Sequence, residues 1–150
     1  MRWKGPLLIG VWGVVVLSGC ATPREHMLPR EKSLYDRLGG KPVITAVVDD
    51  FVVRIVKDSR INRFFAHTDV PLLKAKLADQ ICEVSGGPCK YTGKDMQTTH
   101  QGMAITNADF DALVEDLTIT LDKFRFWVPE KEKNELLAVL GPMRKDITAP

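Results

Sequence analysis

Residues 96–103 of this 150-residue chain read Met-Gln-Thr-Thr-His-Gln-Gly-Met and place one histidine, His100, in a short glycine-flanked segment. Before it, residues 86–95 contain three glycines and a proline, a composition that prevents continuous regular structure. A small helical bundle opened by such a loop would contain a cavity, and a cavity is destabilising unless a ligand fills it. A flat apolar cofactor held by one imidazole accounts for both features.

The rest of the chain is predicted to be helical, because apolar residues recur at three- and four-residue spacing. Ser33 with Asp36 predicts a first helix of two turns that stops at Gly39-Gly40, and Pro42 predicts a long helix that reaches Asp58. No stretch shows the two-residue alternation of a strand, so the predicted fold class is all-α. Further helix starts are predicted at Asp69, Thr106 and Pro129, with one tight helical turn over residues 61–65 and a kink at Gly141-Pro142.

The same spacing predicts which face of each helix is buried. The inward positions are Val43, Val47, Val48, Phe51, Val52 and Ile55 in the first long helix, Val70, Leu73, Leu77, Ile81 and Val84 in the next, Phe110, Leu113, Val114, Leu117, Leu121 and Phe124 in the third, and Leu136, Leu137, Leu140, Met143 and Ile147 in the last. Such faces are typical of a helical bundle and indicate no function by themselves.

The charge balance excludes one class of partner. The chain has 21 Lys and Arg against 19 Asp and Glu, and two of the basic residues, Arg2 and Lys4, lie at the extreme N-terminus. Without residues 1–19 the chain is therefore neutral. Electrostatic binding of nucleic acid requires an excess of clustered basic residues, so no nucleic-acid partner is expected.

The N-terminus has the pattern of an export signal: basic residues, an apolar stretch from Pro6 to Leu17, and then small residues before a cysteine. The ending Leu17-Ser-Gly-Cys20 resembles the lipobox of bacterial lipoproteins, which implies cleavage before Cys20 and lipidation of that residue. The alternative is an ordinary secretory signal. Residues 1–19 are thus predicted to be a lipoprotein signal peptide, and residues 20–32 the lipidated cysteine and a flexible tether with two prolines and five charges. We expect an exported lipoprotein anchored in the membrane on the periplasmic side, in the outer membrane of a Gram-negative host.

Several motifs after the tether occur in a characteristic order and spacing. They are Leu34-Tyr-Asp-Arg-Leu-Gly-Gly, Val48-Asp-Asp-Phe51, Phe64-Phe65, Gly86-Gly-Pro, Tyr91-Thr-Gly93 and Thr99-His-Gln-Gly-Met103. From about Leu34 to Ile147 the chain resembles the truncated haemoglobins of group I, the N-type branch. The resemblance implies a two-over-two helical sandwich around haem b over residues 33–150. The first long helix and the Asp69–Ser85 helix would form its distal side.

The resemblance also implies roles for individual residues. His100 corresponds to the proximal iron ligand, and Phe65 to the aromatic residue that packs against the haem face. A neutral imidazole is a good ligand for haem iron when its other ring nitrogen donates to a carbonyl or similar acceptor. Met96, Ile105 and Phe110 match positions that line the pocket, although each fits a plain apolar core equally well. Leu73 is expected at the haem, and Lys76 is within reach of a haem propionate.

The chain departs from the family on the distal side. Group I proteins commonly have a tyrosine and a glutamine there that hydrogen-bond the bound gas, whereas this sequence has Val52 and Leu77, with Leu73 also apolar. Loss of such a donor costs about 1–3 kcal/mol and should speed oxygen escape roughly 10- to 100-fold, with less effect on carbon monoxide. Gln80 is three residues past Leu77 on the same helix face. It either compensates or lies at the helix edge in solvent.

The remaining histidine and cysteines leave alternatives open. His67 follows Phe65 in a loop, so it is expected to be exposed, and a second histidine ligand to iron is the less favoured interpretation. Cys82 and Cys89 are seven residues apart, and in an oxidising compartment they form a disulfide if the helix end brings them close enough. No Cys-x-x-Cys-His motif is present, so thioether attachment of haem is not indicated.

These observations favour a haem-binding globin that reversibly binds a diatomic gas, oxygen and also nitric oxide or carbon monoxide. One alternative is a haem enzyme that detoxifies nitric oxide or acts as a peroxidase, which would need a polar distal pocket and a reductase that the sequence does not identify. A second alternative is a haem-free helical interaction module. A ligand-binding protein is favoured over an enzyme.

Overall fold

The computed structural model describes residues 31–149, and all regular structure in this range is helical. The predictions for the signal peptide, Cys20 and most of the tether lie outside the described residues. No helix within 31–149 is long and apolar enough to cross a membrane. The helices are α1 (Leu34–Arg37), α2 (Gly40–Ile55), α3 (Val70–Val84), α4 (Met96–His100), α5 (Asn107–Lys123), α6 (Glu130–Leu140) and α7 (Arg144–Ile147), with 3₁₀ turns at Asn62–Phe65 and Gly141–Met143.

Side-chain caps begin the helices where the sequence predicts them. The Ser33 and Asp69 side chains accept hydrogen bonds from backbone N–H groups in the first turns of α1 and α3. Thr106 and Asp109 form a reciprocal capping box at the start of α5. Pro129 precedes α6, and the kink after that helix is a 3₁₀ turn at Gly141.

Two helices are shorter than predicted. α1 is a single turn rather than two, because Gly39 and Gly40 both adopt a positive φ, of 87° and 70°, that terminates the helix. α2 ends at Ile55 rather than at Asp58. The Asp58 carboxylate accepts from the backbone N–H of Arg60 at 2.9 Å, and the Asp58 carbonyl accepts from the N–H of Asn62 at 2.8 Å, so Asp58 belongs to the following turn.

The core is built on α2, which packs against both α3 and α5. Its buried residues include Val48, Val52 and Ile55, each exposed by 1% or less. α1 packs on α2 and α6, while α4 packs on α7. The arrangement leaves α2 and α3 on one side of the interior and α4 to α7 on the other.

A disulfide and a tight turn close the end of α3. Cys82 and Cys89 are bonded, with their Cα atoms 5.7 Å apart. The Gly87 N–H donates to the Cys82 carbonyl at 2.8 Å, and a Cβ at Gly87 would lie only 2.5 Å from the Tyr35 ring and 2.7 Å from Cys82 Sγ. The Tyr35 N–H in turn donates to the Ser85 carbonyl at 2.8 Å. The disulfide thus lies where α1, the end of α3 and the following loop meet.

A buried carboxyl group of α5, Asp116, lies beside Arg54 and Asp58 near the end of α2. Asp116 of α5 is 4% exposed, and its Oδ2 atom has no hydrogen-bond partner in the described part of the chain. Burial raises the pKa of Asp116 above its ordinary value, and the nearby charge of Asp58 raises it further. The pKa of Asp58 is lowered, mainly by its hydrogen bonds from Arg60. Asp116 is therefore the member of the pair that favours the protonated form.

The raised pKa has a consequence for stability. A folded state that binds the Asp116 proton more tightly than the unfolded chain loses stability as the pH rises from the ordinary aspartate pKa through the higher folded pKa. We expect Asp116→Asn to be more stable than wild type at neutral pH by about 1 kcal/mol, with the difference vanishing below about pH 4. Urea unfolding across this pH range measures it. Asp146→Asn, at an exposed position of α7, should show no such trend; a less stable Asp116→Asn at neutral pH would contradict the assignment.

Candidate functional site

An apolar cavity of about 170 Å³ lies between the two sides of the domain. α2 and α3 form its first wall, with Phe51, Ile55, Leu73, Leu77, Gln80 and Ile81. Five of these six side chains are hydrocarbon, and the Gln80 amide is the exception. This first wall can therefore pack against a large apolar surface but offers few hydrogen bonds to it.

The second wall comes from the later helices and from Phe65 in the 3₁₀ turn before α3. It consists of Phe65, Met96, His100, Phe110, Leu113, Val114, Leu117, Leu137, Leu140, Gly141, Met143 and Ile147. A second cavity of about 80 Å³ adjoins the first and shares five lining residues with it, Phe65, His100, Phe110, Leu113 and Ile147. Left empty among apolar walls, the larger cavity would cost on the order of 4 kcal/mol. The interior is thus shaped for a bulky apolar group placed beside His100.

His100 is the only titratable side chain among the residues that line the larger cavity. It is the last residue of α4, a five-residue helix that begins when the Asp95 carboxylate accepts from the Thr98 N–H at 2.8 Å. The His100 Nδ1 atom lies 2.7 Å from the Met96 carbonyl oxygen, one turn earlier. Because a carbonyl can only accept, Nδ1 carries the proton and donates. The lone pair on Nε2 is then left free to bind a metal ion.

This geometry fits haem. The carbonyl acceptor expected from the sequence for the second ring nitrogen is supplied by Met96. The residues around the imidazole are aliphatic and aromatic, as a porphyrin face requires, and no carboxylate lines the larger cavity. His100 would hold the iron, and the two walls would hold the porphyrin by apolar contact. The haem would supply the iron to which a gas binds.

Most of the predicted pocket residues line these cavities. Phe65, Leu73, Leu77, Gln80, Met96 and Phe110 line the larger one, and Ile105 lines the smaller one. His67 is exposed, as expected from its loop position, and it lines neither cavity. Two predicted residues lie elsewhere.

Val52 and Lys76 are the residues that the structure does not place on a cavity wall. Val52 has no exposed surface and packs in the core. The residues of α2 that line the larger cavity are Phe51 and Ile55. The Lys76 Nζ atom donates to the Thr92 hydroxyl at 2.8 Å in the loop after α3. Its predicted contact with a haem propionate stays a prediction.

Gln80 lies on the first wall but points across the cavity. Its side-chain nitrogen lies 3.2 Å from the sulfur of Met96 and 3.6 Å from the sulfur of Met143, both on the second wall. It is half-buried rather than fully solvated. Apart from Gln80, the side chains of the first wall are hydrocarbon.

Other cavity residues were predicted only as inward-facing. Phe51, Ile55, Leu113, Leu117 and Leu137 are examples. Helical periodicity indicates that such a side chain is buried but does not tell whether another helix or a cofactor covers it. The sequence pattern does not show that these residues lie opposite or beside His100 in the folded chain.

A family model described as Bacterial-like globin matches residues 33–149. The chain belongs to this globin family. This globin is similar to the group 1 truncated hemoglobin of Tetrahymena pyriformis, with 33% identity over 118 residues that cover 79% of this chain and 96% of the relative. It is also similar to the group 1 truncated hemoglobin GlbN of Synechocystis, with 34% identity over 113 residues that cover 73% of this chain and 90% of the relative.

Solved structures agree with the fold of this globin. The Fe(III) form of the Tetrahymena pyriformis truncated hemoglobin superposes with a TM-score of 0.75 at 33% identity, covering 79% of this chain and all of that chain. The 2/2 hemoglobin from a Synechococcus species, in the cyanomet state and with covalently attached heme, gives a TM-score of 0.72 at 30% identity, covering 77% and 98%. The predicted all-α, two-over-two helical fold is confirmed.

Proposed function

We propose that His100 is the proximal ligand through which this globin holds the iron of haem b. As a member of the bacterial-like globin family, the chain is a haem-binding protein that takes a diatomic gas. The observation that supports His100 is its ring: Nδ1 is held 2.7 Å from the Met96 carbonyl oxygen while the rest of the imidazole lines the apolar cavity. That hydrogen bond keeps the ring in the tautomer whose Nε2 is a ligand.

The absorption spectrum of the reduced protein tests the ligand directly. In a chain lacking residues 1–20, we expect a five-coordinate ferrous haem spectrum, which His100→Gly should lose and added imidazole should restore. Imidazole rescues the variant because it occupies the space and the coordination position of the missing side chain. His67→Gly is the matched control and should keep the wild-type spectrum, since His67 is exposed and lines neither cavity. An unchanged spectrum in His100→Gly would refute the assignment.

The wall opposite His100 determines how a gas is held. Leu73, Leu77, Phe51 and Ile55 offer no N–H or O–H group to it. A donor in such a dry pocket contributes about 1–3 kcal/mol to a bound ligand that carries partial negative charge, as oxygen does. We therefore propose fast oxygen release and a smaller penalty for carbon monoxide. Oxygen, nitric oxide and carbon monoxide all fit the apolar space.

This apolar wall does not favour the enzymatic alternatives. Nitric oxide dioxygenation and peroxidase chemistry both depend on polar distal groups that orient a ligand or move a proton. In the larger cavity the only polar side chains are Gln80 and His100. The haem-free interaction module is not favoured either, because the cavity lies in the middle of the domain. Stopped-flow mixing of nitric oxide with the oxygenated protein, compared with simple release of oxygen, tests the dioxygenase alternative.

We also propose that the chain is an exported lipoprotein acylated at Cys20. Two observations support this: the lipobox-like ending Leu17-Ser-Gly-Cys20, and the Cys82–Cys89 disulfide, which suits an oxidising compartment. Two or more acyl chains at one residue would give stable anchoring. The mass of the N-terminal peptide of the mature protein tests the proposal, since it should begin at an acylated Cys20. Cys20→Ser is the control and should carry no lipid.

A further inference from the structure

The loop between α5 and α6 exposes two aromatic side chains that the globin pocket does not use. Phe126 is 81% exposed and Trp127 is 60% exposed, while their neighbour Val128 is only 2% exposed. Exposed aromatic residues on a turn are uncommon in a protein that has a large apolar core to receive them. The pair therefore requires an explanation outside the folding of the domain.

The loop is held in this conformation by its own backbone. The N–H groups of Trp127 and Val128 both donate to the Phe124 carbonyl, at 2.8 and 2.9 Å. Val128 is buried, and Phe124 packs against the core. The Trp127 ring lies 6.2 Å from the Phe124 ring and 6.5 Å from the Phe126 ring. Phe126 and Trp127 are thus presented outward on a fixed turn.

One basic group contacts the aromatic pair, and a second follows it closely in the sequence. The Arg125 guanidinium lies 5.4 Å from the centre of the Phe126 ring, and within residues 31–149 neither Arg125 nor Lys131 forms an ion pair. The two nearby acids, Asp122 and Glu130, are both paired with Lys133, at 2.6 and 2.8 Å. Positive charge beside exposed aromatic rings matches the interface of a bilayer that contains anionic lipid.

The loop also lies at the end of the domain where the chain enters. The Lys32 carbonyl accepts from Arg37 at 3.0 Å, and the same Arg37 side chain binds Glu132 in the first turn of α6 at 3.2 Å. Trp127 is five residues before Glu132. A lipid at Cys20 would be only twelve residues from Lys32, which an extended chain spans in at most about 40 Å. An anchor there would hold the loop within reach of the membrane surface.

We propose that the Arg125-Phe126-Trp127 loop is a membrane-contact surface that inserts its two aromatic side chains into the lipid interface. The inference rests in part on the proposed acylation of Cys20, which supplies proximity. The loop supplies orientation, because a domain held at two points cannot rotate freely on its tether. The partner is a lipid bilayer with anionic headgroups rather than a second copy of the chain.

The fluorescence of Trp127 reports directly whether this side chain contacts lipid. After cleavage before Cys20 it would be the only tryptophan left, since the other two are Trp3 and Trp12. The experiment places the full-length lipoprotein in vesicles of phosphatidylethanolamine and phosphatidylglycerol with acyl chains brominated near the headgroup. The emission of wild type minus that of Trp127→Phe gives the signal of Trp127 whatever the processing of the N-terminus.

We expect brominated lipid to quench Trp127 strongly, and Phe126→Ser to shift the loop about tenfold toward the free state, because one buried phenylalanine is lost. Leu72→Ser, at a 54% exposed leucine of α3, is the matched control and should leave the quenching unchanged. An acylated Cys20 with no quenching overturns the loop proposal and leaves the anchor intact. Quenching without acylation supports the loop and refutes the anchor, while absence of both refutes both. Shielding of Trp127 by self-association without lipid quenching also overturns the loop proposal.

Discussion

Replacing Leu77 by glutamine is expected to slow the dissociation of oxygen from this globin by about 10- to 100-fold. Leu77 lines the wall formed by α2 and α3, across the cavity from the His100 wall, and the one N–H donor on that wall, the Gln80 amide, is directed at the sulfur atoms of Met96 and Met143. A glutamine at this position would place an amide N–H in a dry pocket, where a hydrogen bond to a partly negative ligand is strong. The dissociation of carbon monoxide should slow much less, because bound carbon monoxide is less polar.

Stopped-flow release of oxygen from the reduced protein measures the effect. The matched control is Leu72→Gln, which adds the same amide five residues earlier on α3, at a side chain that is 54% exposed and lines neither cavity. Gln80→Leu should change the rate little, because the Gln80 amide is directed at the sulfur atoms of Met96 and Met143. If Gln80→Leu alone accelerated oxygen release tenfold, Gln80 would be the distal donor and the apolar-wall proposal would be wrong.

Local signals explain why so much of the fold could be predicted. The caps at Ser33, Asp69 and Thr106 depend on residues within one turn, so the sequence carries all the information they need. Helix ends that depend on a competing interaction were predicted less accurately. α2 stops before Asp58 because that carboxylate binds the next turn, and periodicity does not report such a competition.

The site likewise has some features that local chemistry predicts and others that depend on the folded chain. The need for a carbonyl beside the second nitrogen of His100 follows from ligand chemistry alone, and Met96 provides it from one turn away. Val52 is fully buried and does not line the larger cavity, and helical periodicity indicates only that such a residue faces inward, not whether a helix or a cofactor covers it. Phe126 and Trp127 were not predicted at all, since exposed aromatic residues leave no periodic pattern.

Removing the disulfide should lower the stability of the domain by about 2–3 kcal/mol, because the bond closes a short loop of seven residues' separation in the unfolded chain. The variant is Cys82→Ala with Cys89→Ala, which avoids a buried hydroxyl at Cys82, a side chain with no exposed surface. We expect the thermal midpoint to fall by about 10 °C. Calorimetry of the haem-bound protein measures this midpoint. A reductant that opens the disulfide should lower the thermal midpoint of the wild type to that of the variant and leave the midpoint of the variant unchanged.

The position of the bond suggests that the loss will extend to the cofactor. Residues 90–95 are the connection between Cys89 and α4, the helix that carries His100 and the Met96 carbonyl. Freeing Cys89 from α3 gives this connection more conformational freedom, so α4 must be ordered at greater entropic cost each time haem is held. The double variant should therefore transfer haem to an acceptor such as apomyoglobin faster than wild type, and reductant should accelerate transfer only from wild type. Equal transfer rates with a lowered thermal midpoint would show that the disulfide stabilises the end of α3 without supporting the His100 helix.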